Sequence, residues 1–286
     1  MELMEEPEWL AILRQDVLIE TRDSQILGDT TLGVVGRSAI WSLCKEFRYN
    51  SLRAMSQTVR IYERLFAGAL WHGLYDDIDI ALDSMKSQVL LILSCCFMLA
   101  VKSLQSAAPI RPSHIQKYLN SLGWQVTVQD VILTERNIFE IIDCHVPIYS
   151  SPEMAELLAV KVVLLPSALP ELRQILRLAE FRRKELEFEV RWVSAYHRVH
   201  YGHPRVRTAH LAAGCVGLVV ARSAPTEYRQ AVERLARLFR VSCLYLEILT
   251  QVINIWTGTV IPKPIWLRDR QPTVSKRLRR AQYHAS

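Results

Sequence analysis

The sequence predicts an all-α protein, and three observations carry that prediction. Glycine is scarce, at 10 of 286 residues, which disfavours a turn-rich β architecture. Apolar residues make up 50% of the chain and recur three and four positions apart over long stretches. The 12 prolines fall mainly between those stretches, where helices start or stop. With 22% charged residues the balance also suits packed cores rather than a disordered chain. The length fits one or two ordinary domains.

Residues 1–30 read as a leader with one short helix, because Trp9, Leu10, Leu13, Val17 and Leu18 share helical spacing. It would dock on the body of the protein or on a partner. Five helices follow. The first runs near 37–49, with Ile40, Leu43, Cys44 and Phe47 on one face. The second runs near 53–72, striped by Val59, Tyr62, Leu65, Phe66 and Leu70. The third, near 84–104, is apolar nearly all round and belongs at the centre of a bundle. The fourth, near 112–121, opens on Pro112 and Ser113, where proline is tolerated and serine can cap.

The fifth helix, near 128–144, needs an argument, because Val126-Thr127-Val128 looks strand-like. Thr127 and Asp130 fit a capping box, in which each side chain serves the other's backbone N–H. Val128, Ile132, Ile138, Phe139 and Ile142 then keep helical spacing, so helix wins.

His145 to Ser150 is a linker. Ser151-Pro152-Glu153 opens a second helical half, with serine as cap, proline in the first turn and glutamate at the positive end of the helix dipole. Its helices fall near 152–165, 169–200, 205–222, 226–239 and 242–257, punctuated by Pro166, Gly202-His203-Pro204 and Pro225. Five helices followed by about five is a coarse duplication without a clear sequence repeat. Residues 262–286, with Pro262, Pro264 and Pro272, read as an extended tail.

The net charge of +6 is too small to choose among acidic partners, but its distribution is informative. Glu2, Glu5, Glu6 and Glu8 make the start acidic, and Arg268, Arg270, Lys276, Arg277, Arg279 and Arg280 make the end basic. The acidic start does not read as a signal peptide. The six cysteines form no Cys-x-x-Cys pair and sit among apolar residues, which reads as reduced core thiols of the cytosol or nucleus. The longest apolar run, Val89 to Val101 between Lys86 and Lys102, is shorter than the roughly 20 residues of a membrane span, so no membrane partner is expected.

Two charges sit where charge is expensive. Glu135 lies on the apolar stripe of the fifth helix, and Lys102 directly follows the most apolar helix. Either they pair with each other for structure alone, or both lie at the bundle edge and offer a donor and an acceptor to a docked backbone.

A family resemblance bears on that choice. Leu90 to Lys102, LLILSCCFMLAVK, resembles the third helix of a cyclin box, which ends in an Ala-Ser-Lys-like motif; here it reads Ala100-Val101-Lys102. SQTVRIYERLF, Ser56 to Phe66, resembles the second box helix. LTERNIFEIIDCHVPIYSSPEM, Leu133 to Met154, resembles the fifth helix and the Thr-Pro-like start of the second half, with about one extra residue between Glu135 and Ser151-Pro152. The resemblance is good over 37–155 and weak beyond. It implies an all-α architecture: a cyclin-box five-helix bundle followed by a second, divergent cyclin-like helical half. The implied parts are a leader at 1–30, a cyclin box at 31–148, a second cyclin-like domain at 149–261 and a basic tail at 262–286.

The resemblance also implies a function. In cyclins the lysine and glutamate at these positions hydrogen-bond a cyclin-dependent kinase near its regulatory helix, a role that falls to Lys102 and Glu135 here. The YERLF end of helix two, SLGWQVTVQDVILTERNIFEIID and HLAAGCVGLVVARSA make the chain most similar to cyclin N-terminal domain-containing proteins of the meiotic crossover type. That likeness implies a nuclear (and cytoplasmic) kinase regulator in meiotic recombination and crossover maturation. The alternatives are a non-activating scaffold for recombination or ubiquitylation factors, or a nucleic-acid-binding cyclin fold of the general transcription factor kind. The absence of a zinc-ribbon Cys-x-x-Cys counts against the last.

One departure matters. Where cyclins carry a Met-Arg-x-Ile-Leu-like patch for substrate peptides, the nearest stretch is Gly36-Arg37-Ser38-Ala39-Ile40-Trp41, so Arg37, Ile40 and Trp41 are a candidate docking patch with an altered groove. Lys276, Arg277, Arg279 and Arg280 are candidates for nuclear import or non-specific phosphate contacts, with a plain solubilising tail as the rival. Arg182-Arg183-Lys184-Glu185 with Glu187 and Glu189 reads as a solvated face. His197, His200 and His203 share metal-ligand spacing, but Gly202 and Pro204 break the helix there and no acidic or cysteine ligand is near, so no metal is expected. No Walker loop, Gly-x-Gly-x-x-Gly, His-Glu-x-x-His, Gly-x-Ser-x-Gly or kinase catalytic loop occurs, so neither catalytic residues nor a cofactor is expected.

Overall fold

A computed structural model of the chain describes residues 8–28, 32–49, 51–104, 110–196 and 206–257. The described residues form helices and no strands. The histidine series at 197–203 and the whole basic tail, including Lys276, Arg277, Arg279 and Arg280, lie outside them.

The first half holds α2 (Val34–Glu46), α3 (Leu52–Trp71), α4 (Ile78–Met85), α5 (Val89–Ser103), α6 (Pro112–Ser121) and α7 (Val128–Ile141). At its centre α5 is buried from Leu91 to Val101, as its all-round apolar sequence requires. Length and composition alone would let Ile78–Ser103 cross a membrane, yet its most apolar stretch fills this core. Alongside lies α3, buried from Ala54 to Ala69. Gly68 lets α7 approach α3 closely: a Cβ there would stand 2.4 Å from the Ile141 carbonyl oxygen. The expected capping box starts α7, with Asp130 N donating to Thr127 Oγ1 (3.1 Å) and Thr127 N to Asp130 Oδ2 (2.8 Å).

The second half holds α8 (Ser151–Lys161), α9 (Leu169–Phe181), α10 (Arg183–Tyr196), α11 (Thr208–Ser223), α12 (Tyr228–Phe239) and α13 (Cys243–Trp256). Here α11 is central, buried from Thr208 to Val220. The leader helix α1 (Glu8–Leu27) joins the halves: Leu10, Leu13 and Val17 enter the second core, and Leu27 enters the first.

Several expectations shift. The first box helix begins at Val34, three residues early. An added helix, α4, and a 3-10 turn at Lys86–Gln88 precede α5. Pro112 opens α6, but Arg111 rather than Ser113 stands before it. Ser150, not Ser151, caps α8: its N–H donates to Glu153 Oε2 at 2.9 Å. The single long helix expected over 169–200 is two helices that break at Arg182. Leu18 is exposed on α1. Cys44, Cys95, Cys96 and Cys215 are buried free thiols, whereas Cys144 and Cys243 are exposed.

Candidate functional site

Lys102, in the last turn of α5, and Glu135, on α7, meet at the rim of the first bundle. Lys102 Nζ lies 2.5 Å from Glu135 Oε1, with the lysine side chain 44% exposed and the glutamate 14%. Both readings of these charges therefore coexist: they pair, and the pair faces outward. Beneath it, burial and then the Glu135 carboxylate push the Cys95 thiol up to about 12, so it stays protonated and inert.

The surface beside the pair is apolar. Ile132, Leu133 and Phe139 on α7 are exposed. The stripe expected to bury Ile132 and Phe139 has two faces: Val131, Ile138 and Ile142 point into the core, while Ile132 and Phe139 point out. Ile132, Glu135, Arg136 and Phe139 share the outer face by their i, i+3, i+4, i+7 spacing. A donor, an acceptor and apolar flanks on rigid helices suit docking of a protein surface.

The candidate patch at 36–41 is only partly a surface, with Ser38 exposed and Trp41 half-buried. Arg37 and Ile40 are fully buried. Arg37 Nη1 donates to Glu180 Oε2 at 3.0 Å and its Nε to the Leu32 carbonyl at 3.1 Å. Trp41, half-buried, meets the Phe181 ring edge-on at 5.8 Å, with the Arg177 guanidinium over its face at 4.5 Å. The physical reason is the junction: α2 packs on α9, so its arginine faces a buried carboxylate instead of water.

The expected solvated face holds for Arg182 and Lys184, which are exposed, and is corrected at Arg183 and Glu187. Arg183 and Glu187 are each 1% exposed. Arg183 donates to Glu20 Oε1 (2.9 Å), Thr208 Oγ1 (3.1 Å) and the Val206 carbonyl (2.5 Å), and lies 4.0 Å from Glu180. Arg60 of α3 reaches Asp16 of α1 at 3.4 Å and also donates to the Tyr149 carbonyl of the linker. Leader, first half and second half are thus tied by one buried ionic network. Partners such as Arg37 and Glu180, 143 positions apart, leave no local sequence signal. A strictly spaced charge within an apolar stripe was the available hint for Arg183, flanked by buried Ala179, Leu186 and Val190. Among the described residues no cluster of three or more histidines, cysteines or carboxylates is placed to hold a metal.

Neither a protein-family model nor a curated protein sequence matches the chain. Among solved structures it is similar to the X-ray structure of a viral cyclin from herpesvirus saimiri, at 13% identity and a TM-score of 0.52. That match covers 87% of this chain and 95% of the viral chain. At such identity the likeness shows the fold alone. The chain therefore has the cyclin fold: five bundle helices, α2, α3, α5, α6 and α7, with α4 added between α3 and α5, followed by a second, divergent helical half.

Proposed function

We propose that the chain is a cyclin-like regulatory subunit that binds the catalytic subunit of a cyclin-dependent kinase and acts in meiotic recombination and crossover maturation in the nucleus. The observation that carries the kinase reading is the outward-facing Lys102–Glu135 pair beside exposed Ile132, Leu133 and Phe139. In the free protein the two charges satisfy each other; a docked kinase backbone would offer each a replacement partner. The subunit contributes binding free energy that differs between kinase states, since only differential affinity shifts such an equilibrium. It carries no catalytic role. The meiotic and nuclear parts rest on sequence resemblance.

The burial of Arg37 and Ile40 favours a second reading in one respect. With two of the three candidate docking residues buried, recruitment of substrate peptides in the usual cyclin manner is disfavoured, which suits a non-activating scaffold for recombination or ubiquitylation factors. A binding panel separates the two. The purified chain is titrated against a set of cyclin-dependent kinase catalytic subunits, and each complex is assayed for histone phosphorylation. A kinase bound and activated supports the regulatory reading; a kinase bound but inactive supports the scaffold; no kinase bound contradicts the docking proposal.

A further inference from the structure

The second half carries a charged surface that kinase docking at α5 and α7 does not use. Helix α12 is sharply two-faced. Ala231, Val232, Leu235, Ala236 and Phe239 are buried in the second core. Arg229, Arg234, Arg237 and the C-cap Arg240 are exposed. At 100° per residue these four arginines fall within one face about 140° wide, and they span roughly 16 Å along the axis. One carboxylate, Glu233, lies among them and pairs with Arg229 at 3.2 Å. Among the described residues Arg237 Nε donates to the Glu233 carbonyl at 3.2 Å, and Arg234 and Arg240 have no ion pair. Glu227 and Glu247 are the other acids beside the helix, at its N-terminal end.

We infer that this arginine face is a binding surface for the phosphate backbone of duplex nucleic acid, read without base specificity. Three features select that partner. The apolar side of α12 is locked in the core, so the helix cannot insert into a lipid surface as free basic amphipathic helices do. The exposed face presents no aromatic or aliphatic anchor of the kind that dominates peptide interfaces. All four cations are arginines, whose planar forks match phosphate oxygens in pairs, and a row of phosphates repays them through counterion release. The chain's excess of +6 gives the approach a favourable field.

The test is fluorescence anisotropy of a labelled duplex of about 20 base pairs, titrated with the full chain from ~50 mM salt upward. Arg234→Ala/Arg237→Ala/Arg240→Gly removes three charges. Arg240 sits in the left-handed region at φ 52°, where glycine is at ease, and alanine is the better helix former, so this variant is expected to fold at least as well. It should bind at least tenfold more weakly, with a log–log salt slope shallower by about 2 to 3, at roughly 0.9 per lost phosphate contact. A variant with Lys276, Arg277, Arg279 and Arg280 changed to alanine should retain the slope that the triple variant loses. The inference is overturned if the wild-type chain binds no duplex at low salt or the triple variant keeps its slope. Competition by polyglutamate as effective as by unlabelled duplex at equal charge would likewise overturn it and assign the face to acidic protein.

Discussion

Glu20 on the leader helix closes the N-terminus of α11: its Oε1 accepts from Thr208 N–H at 2.7 Å, Thr208 Oγ1 at 2.8 Å and Arg183 Nη2 at 2.9 Å. A carboxylate at a helix N-terminus meets unpaired N–H groups and the positive end of the dipole. The leader is therefore part of the fold of the second half, 188 positions away along the chain.

Glu20→Ala should destabilise the protein by about 3 kcal/mol, because buried Arg183 loses its nearest carboxylate and keeps only the more distant Glu187 at 3.7 Å and Glu180 at 4.0 Å among the described residues. Glu20→Gln, which keeps an acceptor, should cost less. Urea unfolding followed by circular dichroism measures both. Equal stability of Glu20→Ala and wild type would remove the leader from the account.

The same carboxylate makes the protein acid-sensitive. Burial pushes Glu20 up, but Arg183, Arg60 and the Thr208 hydrogen bonds together outweigh it and hold it at about 2, below its ordinary 4.5. A lowered folded-state value gives stability that is complete above the ordinary value and lost as pH falls toward the folded one. About 3 kcal/mol should vanish between those two pH values, and Glu20→Gln should flatten that part of the profile. An unchanged profile in the variant would assign acid unfolding to other carboxylates.

Arg37→Met should cost about 3 kcal/mol by taking from buried Glu180 the nearer of its two cations, leaving Arg183 at 4.0 Å, and adding Glu180→Met should recover part of it. The double variant tests whether the pair sets the packing of α2 on α9 or merely satisfies its own charges. Thermal unfolding of the two single variants and the double reads the coupling; strict additivity would contradict the pairing.

Gly68→Ala should cost about 1–3 kcal/mol, since its methyl group meets backbone rather than a flexible side chain. It should also displace α7 and, on the proposed docking, loosen kinase binding through Glu135. Denaturation together with affinity measurement checks both; full stability would mean that α3 and α7 are not in close contact.

What the sequence disclosed follows from range. Local signals were legible: the Thr127–Asp130 box, the proline openings and the all-round apolar α5. One local signal was misplaced: Ser150 and Ser151 both suit a cap, but the Ser-x-x-Glu spacing of a capping box belongs to Ser150 and Glu153. The break at Arg182 has no glycine or proline to announce it, and directly after it Arg183 lies buried in the junction. Spacing identified α7 as a helix but mixed its faces, because Ile132 and Phe139 are apolar on the outside. The expense of placing charge near apolar runs singled out Lys102 and Glu135, which do meet. The larger buried network escaped because its charged members come from five helices far apart in the chain, and within the run Arg182–Glu185 the fold buries Arg183 while Arg182 and Lys184 stay exposed.

The most direct test of the central claim is the affinity of the Lys102→Ala/Glu135→Ala variant for the kinase that the panel selects, measured by titration calorimetry beside wild type. Removing both members of an exposed pair should leave stability within about 1 kcal/mol. The docking account predicts an affinity loss of at least tenfold, about 1.4 kcal/mol, in this stable variant. Unchanged affinity would show that the pair serves the bundle alone and that the kinase, if bound, docks elsewhere.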